Sequence, residues 1–108
     1  MTKDFRLKRE KDFNLVFNKG KRLFSSCLTV VYLPSSEIKA GFAVSKKHGG
    51  SVKRNRIKRL LRESFRSFTS DIRQNFFFVF IPKVDEEYSL NKFKDSMQYL
   101  FKKGGFFN

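Results

Sequence analysis

The chain has 108 residues, the length of one ordinary domain, and its 24 Lys and Arg against 10 Asp and Glu give a net charge of +14. Such a charge favours polyanionic partners, with nucleic acid as the first candidate and an anionic membrane surface as the second. Because Cys27 is the only cysteine, an intramolecular disulfide and a zinc site built on cysteines are excluded. A low cysteine content is typical of proteins in a reducing cytoplasm.

The N-terminus is polar and basic over residues 1–11, which predicts a flexible basic arm. It lacks the apolar stretch of a signal peptide, and no apolar run in the chain reaches membrane-spanning length. We therefore expect a soluble, cytoplasmic protein with one domain, residues 1–108, and no membrane partner.

The first predicted helix follows this arm. Phe13, Val16 and Phe17 fall at i, i+3 and i+4, the spacing of one helix face, and Gly20 is a stop signal. The polar residues 21–26 then predict a connector without regular structure.

Two strands are predicted next. Residues 28–33, LTVVYL, are rich in β-branched and aromatic side chains. In residues 39–46, KAGFAVSK, larger and smaller side chains alternate, which also predicts a strand. In the second strand, Gly41, Ala43 and Ser45 share one side, and all three are small. Either a bulky ligand or a packed helix can lie close to that side.

A basic helix is predicted after Gly49 and Gly50, with Ser51 as its N-cap and an end near residue 68. Residues 76–81, FFFVFI, are apolar on both faces, which is typical of a central buried strand. Ser89 is the predicted N-cap of a last helix. Its apolar face and its stop signals are Phe93, Met97, Leu100, Phe101, Gly104 and Gly105.

The predicted order is helix, strand, strand, helix, strand, helix. It indicates an α+β fold in which a small mixed β-sheet packs against helices. Three strand-like runs argue against an all-helical protein.

The basic helix has two different sides. At about 100° per residue, its apolar side chains form one stripe within roughly 80° of Ile57. The members of that stripe are Ile57, Leu60, Leu61, Phe65 and Phe68. The remaining surface carries Asn55, Arg56, Lys58, Arg59, Arg62 and Arg66. The helix is therefore predicted to dock by one side and to present cations on the other.

These cations destabilise the helix unless an anion binds to them. Glu63 is the only acid in the helix, and Lys53, Arg54 and Arg56 lie near the N-terminus, where the helix dipole disfavours positive charge. Free N–H groups after two glycines form a phosphate site at the same end. Arginine suits bidentate phosphate contacts, and the first-turn cluster with exposed aromatic residues favours RNA over DNA.

The segment AGFAVSKKHGGSVKRNRIKRLLRESF, residues 40–65, resembles the signature region of the bacterial ribonuclease P protein component. The likeness is centred on Arg54, Asn55 and Arg56 and extends over about residues 5–103 in order and spacing. The sequence departs from the family at Ser51, where alanine is common. Serine is small and caps helices well, so this departure changes little.

The resemblance implies a protein subunit of ribonuclease P, an RNA-based endonuclease. Such proteins bind a catalytic RNA and the 5′ leader of precursor tRNA, and aid Mg²⁺-dependent removal of the leader to make the mature 5′ end. The active site and most of the Mg²⁺ belong to the RNA, so no catalytic residue or metal ligand is expected in this chain. The family fold also implies a left-handed βαβ crossover, opposite to the general rule.

Two sets of binding residues follow from the resemblance. Those expected to face the catalytic RNA are Lys53, Arg54, Asn55, Arg56, Lys58, Arg59, Arg62 and Arg66. Those expected to line the leader cleft are Phe13, Phe17, Tyr32, Ser45, Lys46 and Lys47. Periodicity alone leaves Phe13 and Phe17 open between core packing and base stacking. The lone His48 is interpreted as a surface residue rather than a ligand or a catalyst.

Three other functions fit part of the sequence. A ribosomal-type RNA-binding protein without catalytic partner shares the charge and the basic helix. A protein-only nuclease needs clustered carboxylates, and Asp85, Glu86 and Glu87 have no further acidic partner in view. A DNA-binding helix would instead prefer duplex DNA over structured RNA.

Overall fold

A computed structural model describes residues 5–107. In that range the elements are α1 (Glu10–Lys19), β1 (Lys21–Phe24), β2 (Leu28–Pro34), β3 (Lys39–Phe42), a 3-10 turn (Lys46–His48), α2 (Ser51–Arg66), β4 (Phe76–Pro82) and α3 (Leu90–Gly104). The α+β class and the order of the predicted elements are confirmed, and the structure adds the strand β1.

The four strands form one sheet in the order β1-β2-β4-β3. β2 pairs antiparallel with both β1 and β4, whereas β3 pairs parallel with β4. β4 is thus a central strand, as its apolar sequence predicts. Because the parallel neighbours β3 and β4 are joined through α2, the βαβ crossover implied by the resemblance is present.

The sheet separates two hydrophobic clusters, because side chains alternate between the faces of each strand. On one face, α2 and α3 pack against a cluster that includes Val30 and Phe78. On the other face, Val16 of α1 packs against Val31 and Val79. The helices α1 and α2 therefore lie on opposite faces of the same sheet.

The last helix has the predicted boundaries. The Ser89 hydroxyl accepts a hydrogen bond from the Lys92 N–H at 3.2 Å, which satisfies one free donor of the first turn. Gly105 ends the helix with φ at 71°, a left-handed conformation that glycine adopts readily. Phe106 then returns to the core and is buried.

Three local predictions are wrong. Residues 21–24 belong to the strand β1 rather than to a connector, since they pair with β2. β3 ends at Phe42 rather than at residue 46, and a 3-10 turn follows. The N-cap of α2 is Gly50 rather than Ser51, and no side chain caps the helix there.

The predicted flexible arm is wrong for the residues that the structure describes; residues 1–4 lie outside them. Leu7 is buried, and its N–H donates to the Ala40 carbonyl at 2.9 Å. The Ala40 N–H in turn donates to the Phe5 carbonyl at 2.6 Å. This segment runs beside the outer edge of β3, and α1 begins at Glu10.

Candidate nucleic-acid interface

α2 is fixed to the protein by its apolar side. Ile57, Leu61 and Phe65 are buried against the sheet and α3, as the predicted stripe requires. Gly49 opens the turn into the helix with φ at 129°, where a side chain would be strained and would also meet Lys53. The glycine thus sets the direction in which α2 leaves the sheet.

The eight α2 side chains expected to face the catalytic RNA fall into two groups by exposure. The exposed group consists of Lys53, Asn55, Arg56, Arg59 and Arg66, and the half-buried group consists of Arg54, Lys58 and Arg62. Among residues 5–107, the buried Nε atoms of Arg54 and Arg62 have no hydrogen-bond partner. A buried donor without an acceptor costs free energy, so these two groups would gain from a bound acceptor such as phosphate.

The positive charge of α2 is not compensated within the described residues. No ion pair there involves an α2 side chain; the described pair is Lys39 with Glu37 at 3.6 Å. The first turn has no acidic residue, and no side chain caps it. Lys53 lies over the Tyr88 ring, with Nζ 5.7 Å from the ring centroid. Cations at the positive end of a helix dipole and free N–H groups together make this end attractive to anions.

A second surface lies on the other face of the sheet, around α1. Phe13 and Phe17 are half-buried and pack against the cluster of Val16, Val31 and Val79. Three half-buried strand residues continue this apolar face: Leu33, Phe77 and Ile81. Phe13 and Phe17 therefore serve as core on one side and keep part of each ring accessible.

The small side of the second strand is explained by helix packing. A Cβ atom added at Gly41 would overlap the Phe13 ring and lie 3.3 Å from the Leu7 Cβ. Glycine thus allows the α1 ring to rest directly on β3. Of the two sequence-based explanations, the packed helix is the one that the structure contains.

Tyr32 does not lie with Phe13 and Phe17. Its ring packs edge-on against Phe76 and Phe106, with centroid distances of 5.7 and 4.9 Å, on the face covered by α2 and α3. The neighbouring residue Val31 faces α1 instead. Since successive strand residues point to opposite faces, a shift of one position moves a side chain to the other surface.

His48 is buried, so its interpretation as a surface residue is wrong. The Ser45 N–H donates to its Nδ1 at 3.0 Å, and its Nε2–H donates to the Pro82 carbonyl at 2.7 Å. The Ser45 hydroxyl also accepts from the Lys47 N–H at 3.4 Å. These bonds anchor the turn that carries the exposed Lys46 and Lys47 to the end of β4.

A sequence signal for the His48 site does exist. Ser45 and His48 have the spacing of a capping box, in which two residues three apart satisfy each other's backbone donors. The spacing does not predict the hydrogen bond to the carbonyl of Pro82, which is 34 residues away in the sequence. That contact buries the ring.

The described residues contain no group of three or more His, Cys, Asp or Glu side chains placed to hold a metal ion. Across residues 5–107, no helix has the length and apolar character needed to cross a membrane. The distinctive surfaces are thus the cationic side of α2 and the apolar, aromatic face beside α1.

Comparison with known proteins identifies this arrangement. The family model for ribonuclease P matches residues 1–105. The chain belongs to the ribonuclease P protein family. It is similar to the ribonuclease P protein component of Caldanaerobacter subterraneus, with 39% identity over 91% of this chain and 87% of that protein. The component from Macrococcus caseolyticus is 33% identical over 100% of this chain and 96% of that protein.

Solved structures of the ribonuclease P family share the fold. The Staphylococcus aureus RNase P protein superposes with a TM-score of 0.85 at 27% identity, covering 98% of this chain and 100% of that one. The Thermotoga maritima protein gives 0.81 at 28% identity, covering 91% and 96%. The mixed sheet, the element order and the left-handed crossover agree with these proteins. The fold implied by the resemblance is confirmed.

Family membership makes this protein a subunit of an endoribonuclease whose protein component works with ribonuclease P RNA. The structure brings the eight predicted residues of α2 together on one helix and Phe13 with Phe17 on another. It sets Tyr32 apart from that pair. The binding role of each individual residue stays a prediction.

Proposed function

We propose that this protein binds the catalytic RNA of ribonuclease P through α2 and the single-stranded 5′ leader of precursor tRNA through the face beside α1. In this proposal the RNA carries the active site and most of the Mg²⁺. The protein aids hydrolysis by holding both RNAs, in the cytoplasm where bacterial tRNA precursors are made. Endonucleolytic removal of the leader leaves the mature 5′ end.

The observation that carries the proposal is the uncompensated cationic side of α2. Seven cationic side chains and Asn55 lie on a helix with one acid, and two buried Nε–H donors lack an acceptor among residues 5–107. RNA phosphates supply both the missing charge and the missing acceptors. Arg54, Asn55 and Arg56 would contact the catalytic RNA where α2 begins.

The face beside α1 suits a leader of variable sequence. Partly accessible rings of Phe13 and Phe17 offer stacking surfaces. The exposed Lys46 and Lys47, on the turn after β3, would supply cations for phosphates farther along the leader. Base stacking on aromatic rings is worth about 1–3 kcal/mol per base and tolerates every base. The chemistry therefore needs no fixed leader sequence. Ser45 holds the turn of the two lysines, which lies next to α2.

The positions of α1 and α2 on opposite faces of the sheet allow both RNAs to be bound at once. The protein then raises the effective concentration of precursor near the catalytic RNA. No step of the hydrolysis is assigned to a side chain of this protein. Mg²⁺ at the RNA would supply metal-activated water and charge stabilisation.

The test is a cleavage assay with ribonuclease P RNA, at a Mg²⁺ concentration too low for efficient cleavage by the RNA alone. Addition of the protein should accelerate cleavage of a precursor with a leader. In a parallel binding assay, the protein should raise the affinity of the catalytic RNA for this precursor but not for tRNA without a leader. A ribosomal-type RNA-binding protein would bind RNA but leave cleavage unchanged. No acceleration with the cognate RNA would refute the proposal.

A further inference from the structure

A groove outside the two RNA surfaces proposed above lies between the turn joining β1 to β2 and one side of α3. It encloses about 740 Å³, within the range of specific binding sites. Phe24 and Cys27 line it from the turn, and Lys92, Asp95 and Tyr99 line it from α3. Asp85, in the loop after β4, also lines the groove.

The groove contains two large aromatic rings that are unusually exposed. Phe24 keeps 58% of its surface accessible and Tyr99 keeps 53%, although the other described phenylalanines are buried or half-buried. Val84, next to Asp85, is 61% exposed. Exposed apolar side chains gathered at one place mark interaction sites more often than isolated ones do. This end of the protein therefore offers apolar surface to a partner.

The groove lining carries two carboxylates, Asp85 and Asp95, and one cation, Lys92. Glu86 and Glu87 follow Asp85 in the same loop, and Lys103 lies over the Tyr99 ring with Nζ 5.6 Å from the centroid. Within residues 5–107, neither groove carboxylate, Asp85 or Asp95, forms an ion pair. Phosphate groups are repelled by such carboxylates, whereas cationic side chains are attracted.

The groove lies mainly away from both proposed RNA surfaces, and only its Asp85 end borders the start of α2. The Asp85 N–H donates to the Tyr88 hydroxyl at 2.9 Å, and Lys53 lies over the Tyr88 ring. Lys92, Ser96 and Tyr99 recur at helical spacing and so share the side of α3 that faces β1. Phe101, on another side of α3, contacts Phe65 of α2 at a centroid distance of 6.3 Å. The face beside α1 lies across the sheet. A partner in the groove is compatible with RNA on α2.

We propose that this groove binds an extended, Lys- and Arg-containing segment of a second protein. Its apolar side chains would insert between Phe24 and Tyr99, and its cations would pair with Asp85 and Asp95. The two carboxylates come from different elements, a loop and a helix, so they select a segment with cations at separate positions rather than a single ion. The occupant is a protein and not RNA, because a sugar–phosphate backbone would place anions against these acids.

The only cysteine of the chain reports directly on occupancy. Cys27 is partly exposed in the groove, and its Sγ lies 2.8 Å from the Ser96 Oγ. The rate at which iodoacetamide alkylates this thiol can therefore be measured on the full-length, unmutated protein. The probe is a short synthetic peptide that repeats Lys-Phe-Arg-Leu. Two control probes are tested in the same way: an acidic peptide that repeats Glu-Phe-Asp-Leu, and an oligouridylate.

The basic peptide should slow alkylation of Cys27 several-fold, and the other two probes should leave the rate unchanged. The paired substitutions Asp85→Asn and Asp95→Asn should weaken peptide binding about tenfold, the loss expected for two partly exposed ion pairs. Glu63→Gln with Asp71→Asn changes the net charge equally at exposed sites outside the groove. This matched pair should change binding by less than about twofold.

Three results would overturn the proposal. The first is a basic peptide that gives no protection of Cys27. The second is an equal loss of affinity in the matched pair, which would mean that net charge alone attracts the peptide. The third is equal protection by oligouridylate, which would make the groove an RNA site.

Discussion

The contact between Gly41 and Phe13 gives the most direct test of how α1 is held on the sheet. A Cβ atom at Gly41 would overlap the Phe13 ring, and the backbone there does not have positive φ. Gly41→Ala therefore introduces a steric conflict without backbone strain. The Phe13 ring, or α1 as a whole, must move away from β3.

The magnitude follows from two opposing contributions. Overpacking by one methyl group costs about 1–3 kcal/mol. Replacing glycine by alanine also restricts the unfolded chain, which stabilises the folded state by about 0.4–1 kcal/mol. We expect Gly41→Ala to lower the free energy of unfolding by about 1–2 kcal/mol. In urea, that loss lowers the midpoint of unfolding by about 1 M.

The assay is urea unfolding followed by far-ultraviolet circular dichroism, performed as a double-mutant cycle. Phe13→Ala removes the ring that the added methyl group would strike, so Gly41→Ala should cost almost nothing in that background. The coupling energy should be about 1–2 kcal/mol. Phe17→Ala is the matched control, because none of the three atoms nearest the added Cβ belongs to Phe17. Its effect should add to that of Gly41→Ala within about 0.5 kcal/mol.

The reasoning is refuted if Gly41→Ala is as stable as the unmodified protein, or if its effect adds to that of Phe13→Ala. Either result would mean that the ring adapts without loss. In the expected case, the displaced ring should also weaken binding of leader-bearing precursor tRNA, measured by filter binding, more than binding of the catalytic RNA.

Four further single substitutions test other parts of the structure. His48→Ala should lower the free energy of unfolding by about 1–3 kcal/mol, measured in urea, because the Pro82 carbonyl and the Ser45 N–H lose their partner. Gly105→Ala should cost about 1 kcal/mol in the same assay, since its φ is 71°. Arg59→Ala should weaken binding to ribonuclease P RNA and reduce the salt slope by about one, whereas Phe17→Ala should cost about 1–3 kcal/mol in affinity for precursor tRNA with a leader.

Each of these predictions has a matched control. Lys47→Ala changes an exposed residue of the same turn as His48 and should alter stability by less than about 0.5 kcal/mol. Gly105→Asn should lose less than Gly105→Ala, because asparagine tolerates left-handed φ; equal losses would contradict the argument. If Arg59→Ala and Phe17→Ala lowered both affinities equally, the division into two RNA surfaces would be wrong.

Much of the fold follows from local sequence patterns. The strands β2 and β4 follow from their β-branched and aromatic composition, and the apolar side of α2 follows from side-chain periodicity; short segments already contain both signals. Ser89 and Gly105 mark the ends of α3 because capping is a local interaction. The cationic side of α2 is predictable for the same reason.

The remaining features depend on contacts between distant segments. Residues 21–24 become a strand because β2 offers a partner, although their sequence, KRLF, has little strand character of its own. His48 is buried because Pro82 approaches it from far along the chain. The sequence of β2 does not show which face Tyr32 occupies, because only the pairing with β4 decides which side of β2 meets α1.

The central position of β4 has a consequence for synthesis on the ribosome. β2 ends at Pro34, but its main partner is complete only at Pro82, about fifty residues later, which takes roughly 2–10 s at ordinary translation rates. Until then β2 has only the four-residue β1 as a neighbour, and a two-stranded hairpin is barely stable in water. The nascent chain must therefore expose both faces of β2 while α2 emerges, and its many like charges then keep neighbouring chains apart until β4 completes the sheet.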